Sequence, residues 1–468
     1  MDNTSFTTEE ITEGLFRFID NSPTAFHAVQ NAAQMLEEAG YEKIVCEKAA
    51  GIRAGGRYYA TRNDSALIAF RIPAGDMKGL RIAASHSDSP CFKVKETPEM
   101  DVEGHYVKLN TEGYGGMIMS TWLDRPLSVA GRAILMENGK PVTKLVNIDR
   151  DLCIIPNVAI HFNREINKGF AYNPQVDLLP LYGGVNPDAS TESKEEDKGK
   201  LKKKSLKALC AETLGVSEEE ILASDLYLYT REKGRRMGVD GEFIVSPRLD
   251  DLQCAYGTLA GFLAADDGKK TEKGTEKELE KDAEKEVEKE AQGEYGAVYA
   301  LFDNEEIGSG TKQGADSTFL SDVIQCICDA LGQSGSARRD LLAGSFLLSA
   351  DNAHGVHPNH PEKSDPTNRP YLNGGIVLKF QGSQKYTTDA YSAAVVRNIC
   401  REQGVPCQNF ANRADVAGGS TLGNISSAHV SIPAADIGLA QLAMHSALET
   451  AGVKDTEYLV RLCRGFFL

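Results

Sequence analysis

The chain has 468 residues, more than one hydrophobic core usually accommodates, so we expect two domains. Its net charge of −16 leaves no basic surplus for binding nucleic acid or an anionic membrane surface. No apolar stretch reaches the roughly 18–20 residues that span a bilayer, and the polar N-terminus does not resemble a secretory signal. The cysteines include no CxxC pair, which indicates free thiols in a reducing compartment, and we expect a cytoplasmic protein.

The first elements of the chain follow an α/β pattern. Residues 7–40 have helical periodicity, and residues 58–72 alternate as a hairpin with Asn63-Asp64 as its turn. A short apolar strand over 80–84 follows and leads into a polar segment.

From residue 92 to residue 239 the pattern changes to short β-branched runs with frequent glycine and proline. This predicts a β-rich domain inserted into an α/β domain made of residues 1–91 and 240–468. Within the insert, residues 191–204 are charged and loop-like, and residues 205–214 favour a helix.

The α/β pattern returns near residue 243. Helices are predicted over 252–265, 318–331 and 389–403 and in a last segment to about 462, and strands over 345–349, 375–380 and 429–434. A charged insertion over about 266–292 carries a Glu-Lys repeat at spacing four. Like charges at that spacing weaken a helix, and Lys-to-Glu pairs three residues apart offset part of this, so we expect a solvated helix, frayed or disordered, with no catalytic part.

One apolar run, Val-Tyr-Ala-Leu-Phe, stops at Asp303 and is followed by Glu305 and Glu306. A strand end leading into an acidic first helical turn would explain these residues. Other polar residues have a similar place at a predicted strand end or helix start: His86 with Asp88, Asp250 with Asp251, Asp351, and His445. The aspartates at 250 and 251 could simply cap a helix. Open α/β sheets nevertheless gather ligand sites at such places, so we expect one common site.

These imidazoles and carboxylates suit a pair of divalent metal ions. Zinc accepts both ligand types, and two ions ~3.5–4 Å apart can clamp an attacking water and a developing oxyanion. Such a site needs a bridging carboxylate, two further ligands per ion and a separate carboxylate as general base. In His86-x-Asp88 the carboxylate suits a residue that orients the ligand imidazole. Spacing alone does not tell whether Glu305 or Glu306 is the base.

Six segments resemble, in the same order, the M18 metallopeptidases, the aspartyl aminopeptidase family. They are S-H-S-D-S-P, S-T-W-L-D-R, S-P-R-L-D-D, D-N-E-E-I-G-S, S-A-D-N-A-H-G-V-H-P-N and M-H-S. The resemblance covers the chain apart from the charged inserts. It implies a mixed-sheet α/β metallopeptidase domain of the phosphorylase/hydrolase-like type, with an inserted β-rich dimerisation domain. It also implies assembly into dodecamers.

The resemblance implies a role for each residue of the common site. Asp250 would bridge two ions, one completed by Glu306 and His445 and the other by His86 and Asp351. Glu305 would be the general base, and the Asp250–Asp251 peptide would be cis. The two ions per subunit would be zinc, with manganese or cobalt as alternatives.

Four residues match substrate-contacting positions of the family: His161, His354, Lys379 and Tyr386. The resemblance places His161 in the active site of a neighbouring subunit, although a lone histidine on a β segment could also be structural. Lys379 would pair with an acidic side chain of the substrate, unless it is a solvated strand residue. Lys385 stands where the family more often has arginine.

These observations predict an aminopeptidase that removes N-terminal residues, Asp or Glu above all, from peptides with a free N-terminus. Three alternatives stay open at this point. The same fold could prefer neutral, Leu-like residues, or it could carry a dinuclear deacylase or amidase. A non-catalytic assembly shell is the third.

Overall fold

The structure, a computed structural model, describes residues 7–46, 51–184, 204–271 and 294–468. Residues 191–203 of the loop predicted over 191–204, and the Glu-Lys repeat over 272–291, lie outside the described residues. Within the described ranges, no helix combines the length and the hydropathy that crossing a membrane requires.

The chain forms two compact units. The first contains Met1–Asp88, Gly234–Met444 and Glu449–Leu468, and the second contains Ser89–Lys233 and His445–Leu448.

The described helices are α1 (Thr8–Asp20), α2 (Ala25–Glu38), α3 (Pro174–Asp177), α4 (Leu206–Leu214), α5 (Leu249–Thr271), α6 (Phe319–Ala330), α7 (Gly335–Ala343), α8 (Ala390–Glu402), α9 (Leu422–His429) and α10 (Asp455–Phe467).

The strands of the first unit are β1 (Glu42–Lys43), β2 (Arg57–Arg62), β3 (Ala66–Arg71), β4 (Met77–His86), β11 (Arg235–Met237), β12 (Phe243–Ser246), β13 (Glu294–Phe302), β14 (Phe346–Ala350), β15 (Ala353–His354), β16 (Ile376–Phe380), β17 (Cys407–Ala411), β18 (Ala434–Gly438), β19 (Ala440–Leu442) and β20 (Glu449–Gly452). Those of the second unit are β5 (Cys91–Val102), β6 (Tyr106–Tyr114), β7 (Leu127–Glu137), β8 (Lys140–Asn147), β9 (Leu181–Gly184) and β10 (Ala223–Thr230).

A nine-stranded mixed sheet organises the first unit, in the order β1-β2-β3-β13-β4-β14-β18-β16-β17. Its central strands β13, β4, β14 and β18 are parallel to one another, whereas β3 runs antiparallel to β13. The predicted mixed α/β fold is therefore confirmed. The predicted hairpin is also present, with Asn63 and Asp64 at positive φ in its turn.

Helices cover this sheet on both faces, which explains the continuous apolar run before Asp303. Along β13, Ala297, Tyr299 and Leu301 belong to one buried cluster, and Val298, Ala300 and Phe302 belong to another. A strand buried on both faces needs apolar side chains at every position.

The strand predicted over 429–434 is wrong. Helix α9 continues to His429, and strand β18 begins only at Ala434. Val430 and Ile432 are buried and alternate as strand residues do, but they lie in a loop. Pro433 has no N–H to donate, although its carbonyl accepts the Leu347 N–H at 2.9 Å, and the strand begins at Ala434.

The second unit contains a six-stranded antiparallel sheet in the order β8-β7-β10-β5-β6-β9. Phe92 and Trp122 pack edge to face in its core, with ring centroids 5.3 Å apart. Short strands joined by turns account for the β-branched, glycine-rich pattern of this region.

Candidate metal centre

The metal-binding candidates of the first unit meet because three neighbouring strands are parallel. Phe302, at the end of β13, pairs with His86, at the end of β4, and β14 runs parallel to β4 on its other side. Carboxyl ends of parallel strands share one edge of a sheet. The segments that carry Glu305, Glu306 and Asp351 therefore begin beside His86.

His86 lies at the centre of this group and is 1% exposed. Its Nε2 atom is 3.6 Å from Asp250 Oδ1 and 3.8 Å from Asp351 Oδ1. One potential ligand atom from each of His86, Asp250, Asp251 and Asp351 fits within a 4.8 Å span, as does one from each of His86, Glu305 and Glu306. The imidazole and the carboxylates thus converge on a common volume.

The beginning of α5 supplies Asp250 and Asp251. Both have non-helical backbone angles, and the peptide bond between them is cis, as the resemblance implied. Asp251 is fully buried, and its Oδ2 accepts the backbone N–H of His86 at 3.3 Å. The sequence predicted Asp251 as part of the common site but indicated no role of its own for it, because an aspartate at a helix start is so often a cap.

Glu305 and Glu306 lie in a 3₁₀ turn, Glu305–Ile307, directly after β13. The Asp88 carboxylate accepts the backbone N–H groups of both glutamates, each at 3.2 Å. The preceding residue, Asn304, has φ of 61°, and its Oδ1 accepts hydrogen bonds from Thr311 and Gln313 at 2.8 Å. Side-chain hydrogen bonds therefore fix this turn.

Asp88 also adjoins the imidazole, as its predicted orienting role requires. His86 Nδ1 is 3.1 Å from the Asp88 backbone carbonyl and 3.4 Å from its Oδ1. A ring nitrogen held in this way leaves Nε2 directed at the carboxylates, which suits a metal-binding imidazole.

Burial and the crowding of negative charge shift the pKa values of several residues in the group. Burial raises the pKa of Glu305 to about 8, and the nearby Asp351, Asp88 and Asp250 add to that rise. The pKa values of Glu306 and Asp251 are held well above the ordinary range by burial, then by neighbouring carboxylates. Burial lowers the pKa of His86, but the carboxylates around it outweigh this and hold that pKa high.

This donor set fits divalent metal ions. Buried carboxylates at such separations repel one another unless positive charge compensates them. A buried imidazole with aspartate and glutamate oxygens is the ligand chemistry that zinc accepts in catalytic sites.

Lys379 lies in β16 and is only 2% exposed, so the alternative of a solvated strand residue is wrong. Its Nζ is 3.4 Å from Asp351 Oδ2 and 5.6 Å from the ring centroid of Tyr386. Burial lowers the pKa of Lys379, but the charges around it, Asp351 first and then Tyr386 and Asp436, together outweigh this and raise that pKa above the ordinary value. The ammonium group is therefore a fixed positive charge beside the carboxylates.

His354 and Tyr386 lie in the same unit. His354, in β15, lines a cavity of about 480 Å³ together with Phe410, Arg413 and Gln441. Tyr386 is 5% exposed and its ring centroid lies 6.2 Å from that of Phe410.

The two remaining predicted residues belong to the second unit. His161 is exposed and lies in a turn, where Phe162 N–H donates to Ala159 at 2.8 Å, and not in a strand. His445 has φ of 66°, and its carbonyl accepts the N–H of Ile118 at 3.0 Å. The roles of His161 and His445 stay predictions.

A buried cluster of imidazole and carboxylates at the carboxyl edge of a mixed sheet defines a metal-dependent hydrolase. The family model described as "Aminopeptidase I zinc metalloprotease (M18)" matches residues 18–467. The chain therefore belongs to the M18 family of zinc metalloproteases and is an aminopeptidase.

Relatives and solved structures agree with this membership. "Probable M18 family aminopeptidase 2" of Clostridium acetobutylicum is 43% identical over 462 residues, which cover 98% of each chain. A chain in the cryo-EM structure of the Ape4 and Nbr1 complex is 33% identical with a TM-score of 0.88, covering 100% of this chain and 87% of that one. The mApe1 dodecamer of S. cerevisiae is 26% identical with a TM-score of 0.80, covering 98% of this chain and 96% of that one.

Proposed function

We propose that this aminopeptidase uses two divalent ions and Glu305 to remove N-terminal acidic residues from peptides. The main support for this proposal is that ligand atoms of His86, Asp250 and Asp351 converge, with Glu305 and Glu306 in the adjoining turn. Zinc is the proposed metal, with manganese or cobalt able to use the same ligands.

The ligands would divide between two ions that share one carboxylate. As the resemblance implies, Asp250 would be the shared ligand, His86 and Asp351 would hold one ion, and Glu306 and His445 would hold the other. When bound, such ions polarise the scissile carbonyl and make water more acidic.

Glu305 acts as general base. Its carboxyl group is kept near the ligands by the Asp88 contact to its backbone, so its place does not depend on binding metal itself. It takes a proton from the attacking water and delivers it to the departing amine. A pKa raised towards neutrality suits a group that must both accept and release that proton.

Lys379 supports the preference for Asp and Glu. Its buried ammonium adjoins Asp351, whose negative charge is shared with the metal once an ion is bound. The charge of Lys379 then needs another partner, and a substrate carboxylate supplies it. The ring of Tyr386 adjoins the ammonium group of Lys379 and would border the bound substrate carboxylate.

A hydrolysis panel tests the substrate class. Asp-, Glu-, Leu- and Lys-arylamides are compared with added zinc, manganese or cobalt, together with N-acetyl-Asp-arylamide. The proposal predicts fastest cleavage of the Asp and Glu compounds and none of the acylated one. Preference for Leu indicates the neutral aminopeptidase, cleavage of the acylated compound indicates a deacylase, and absence of bound metal and turnover indicates a non-catalytic shell.

We further propose self-association, up to a dodecamer, through the β-rich second unit. One solved relative is a dodecamer. The exposed turn that carries His161 has apolar neighbours, Ile160 at 48% and Phe162 at 88% exposure, which suits a surface that another subunit covers. His161 would then stabilise the oxyanion of the neighbouring subunit's reaction.

We also propose that the protein is cytoplasmic, because free cysteines suit a reducing compartment.

A further inference from the structure

The peptide group between Leu249 and Asp250 is held at both of its polar atoms by buried side chains. Asn352 Nδ2 donates to the Leu249 carbonyl at 2.9 Å, and the Asp250 N–H donates to Glu449 Oε2 at 2.9 Å. Asn352 is 3% exposed and Glu449 is 2% exposed. Neither residue has a place in the proposed metal or substrate contacts.

The Asn352 side chain is itself fixed in orientation. Its Nδ2 also donates to Gln441 Oε1 at 2.8 Å, and its Oδ1 accepts the Cys254 thiol at 3.2 Å. Gln441 and Cys254 are buried as well. A rotation of the amide would place its oxygen against the Leu249 carbonyl and Gln441 Oε1, so the network favours one orientation.

Helix geometry does not fix this peptide group. Asp250 has φ of −84° and ψ of 108°, so the regular hydrogen bonds of α5 do not determine the direction of its side chain. The contacts from Asn352 and Glu449 replace them. Asn352 directly follows Asp351, so it also ties the end of β14 to the beginning of α5.

We propose that Asn352 and Glu449 are positioning residues that set the plane of the Leu249–Asp250 peptide and thereby aim the Asp250 carboxylate at the metal ions. The inference rests on the proposed function in one respect, namely that Asp250 is a metal ligand. Residues that support a ligand typically change metal affinity by about 10–100-fold when they are lost.

The test measures zinc affinity by chelator competition on the purified full chain, with thermal unfolding of the metal-free protein alongside. Asn352→Ala and Glu449→Ala are each expected to lower zinc affinity by about 10–100-fold and to lower kcat more than they raise KM. Glu449→Gln keeps an oxygen acceptor for the Asp250 N–H and is expected to stay within about 3-fold of the parent affinity.

Two matched controls separate positioning from general destabilisation. Asn373 donates to the Glu242 carbonyl at 2.8 Å, and Asp455 accepts the Gly375 N–H at 2.9 Å. Asn373→Ala and Asp455→Ala remove the same kinds of contact without adjoining a proposed ligand. They are expected to lower the unfolding temperature and leave zinc affinity unchanged.

If the alanine variants do not fold, Asn352→Leu and Glu449→Gln, which keep the number of side-chain heavy atoms, test the proposal instead. The proposal then expects a loss of zinc affinity of about 10-fold for the first and less than about 3-fold for the second. Parent-like zinc affinity in Asn352→Ala and Glu449→Ala, or in Asn352→Leu, overturns it. A parent protein that binds no zinc refutes the proposed function instead, so the two failures are distinguishable.

Discussion

Asp88 Oδ1 accepts the backbone N–H of Glu305 at 3.2 Å. Asp88 Oδ2 accepts the next N–H, that of Glu306, at the same distance, and Oδ1 lies 3.4 Å from His86 Nδ1. One buried carboxylate therefore connects the turn of the proposed base to the imidazole of a proposed ligand.

This arrangement predicts that Asp88→Ala impairs metal binding and turnover together. Zinc affinity and kcat should each fall by about 10–100-fold, because the imidazole and the turn both lose their support. Chelator competition and hydrolysis of Asp-arylamide measure the two quantities. Asp316→Ala removes a surface carboxylate whose Oδ1 lies 2.7 Å from His429 Nε2, and should change neither. An Asp88→Ala protein with parent-like values would contradict the prediction.

Metal removal should make stability depend on pH with a definite sign. Burial raises the pKa of Glu305 to about 8 and holds the pKa values of Glu306 and Asp251 high, so the folded protein keeps protons that the unfolded chain has released. The stabilisation that comes from these retained protons is present in full below about pH 4.5 and is lost as pH rises through about 8. The unfolding temperature of the metal-free protein should therefore fall between pH 5 and pH 8, by at least about 2 °C.

Zinc-loaded protein should lack that fall, because the ions take the place of the protons. The double variant Glu305→Gln, Glu306→Gln should reduce the slope in the metal-free protein. Scanning calorimetry at several pH values makes the comparison. A metal-free protein whose unfolding temperature rises over this interval would refute the argument.

Lys379→Met should lower kcat/KM for Asp-arylamide by at least about 10-fold and change it far less for Leu-arylamide, because a charge-assisted contact is lost only with the acidic substrate. Lys385→Met is the matched control, since Lys385 is exposed and donates to the Gly418 carbonyl at 3.2 Å. Equal losses of kcat/KM with both substrates would mean that Lys379 supports Asp351 and does not bind the acidic side chain of the substrate.

His161 allows a test by subunit mixing. His161→Ala and Glu305→Gln proteins should each be nearly inactive, since each lacks one group that the proposed reaction needs. Mixed oligomers should recover part of the activity, because a His161→Ala site receives an intact histidine from a Glu305→Gln subunit. Activity assays after dissociation and reassembly measure this. Absence of recovery in verified mixed oligomers would place His161 outside the neighbouring site.

Strand ends in the sequence pointed to the site because parallel strands bring distant segments to one edge. The registers of β4, β13 and β14 place the segments after His86, Phe302 and Ala350 side by side. An abrupt stop of an apolar run is visible in the sequence and indicated a common site, whereas the resemblance to the M18 family supplied the role of each residue.

The support around those residues was not predictable from local pattern. Glu449 meets Asp250 across 199 positions, and Asn352 meets Leu249 across 103. No periodicity relates residues so far apart, and each side chain alone suits a loop or a sheet edge. The strand over 429–434 was wrongly predicted for the converse reason. Val430 and Ile432 have the local sequence pattern of a strand but lack the pairing partners that make one.

The central claim, that Glu305 moves the proton while Glu306 holds metal, is tested most directly by zinc content and kcat of Glu305→Gln beside Glu306→Gln. We expect Glu305→Gln to retain two zinc ions per subunit and to lose at least about 100-fold in kcat, and Glu306→Gln to lose one ion. Parent-like turnover in Glu305→Gln, or loss of zinc from that variant and not from Glu306→Gln, would contradict it.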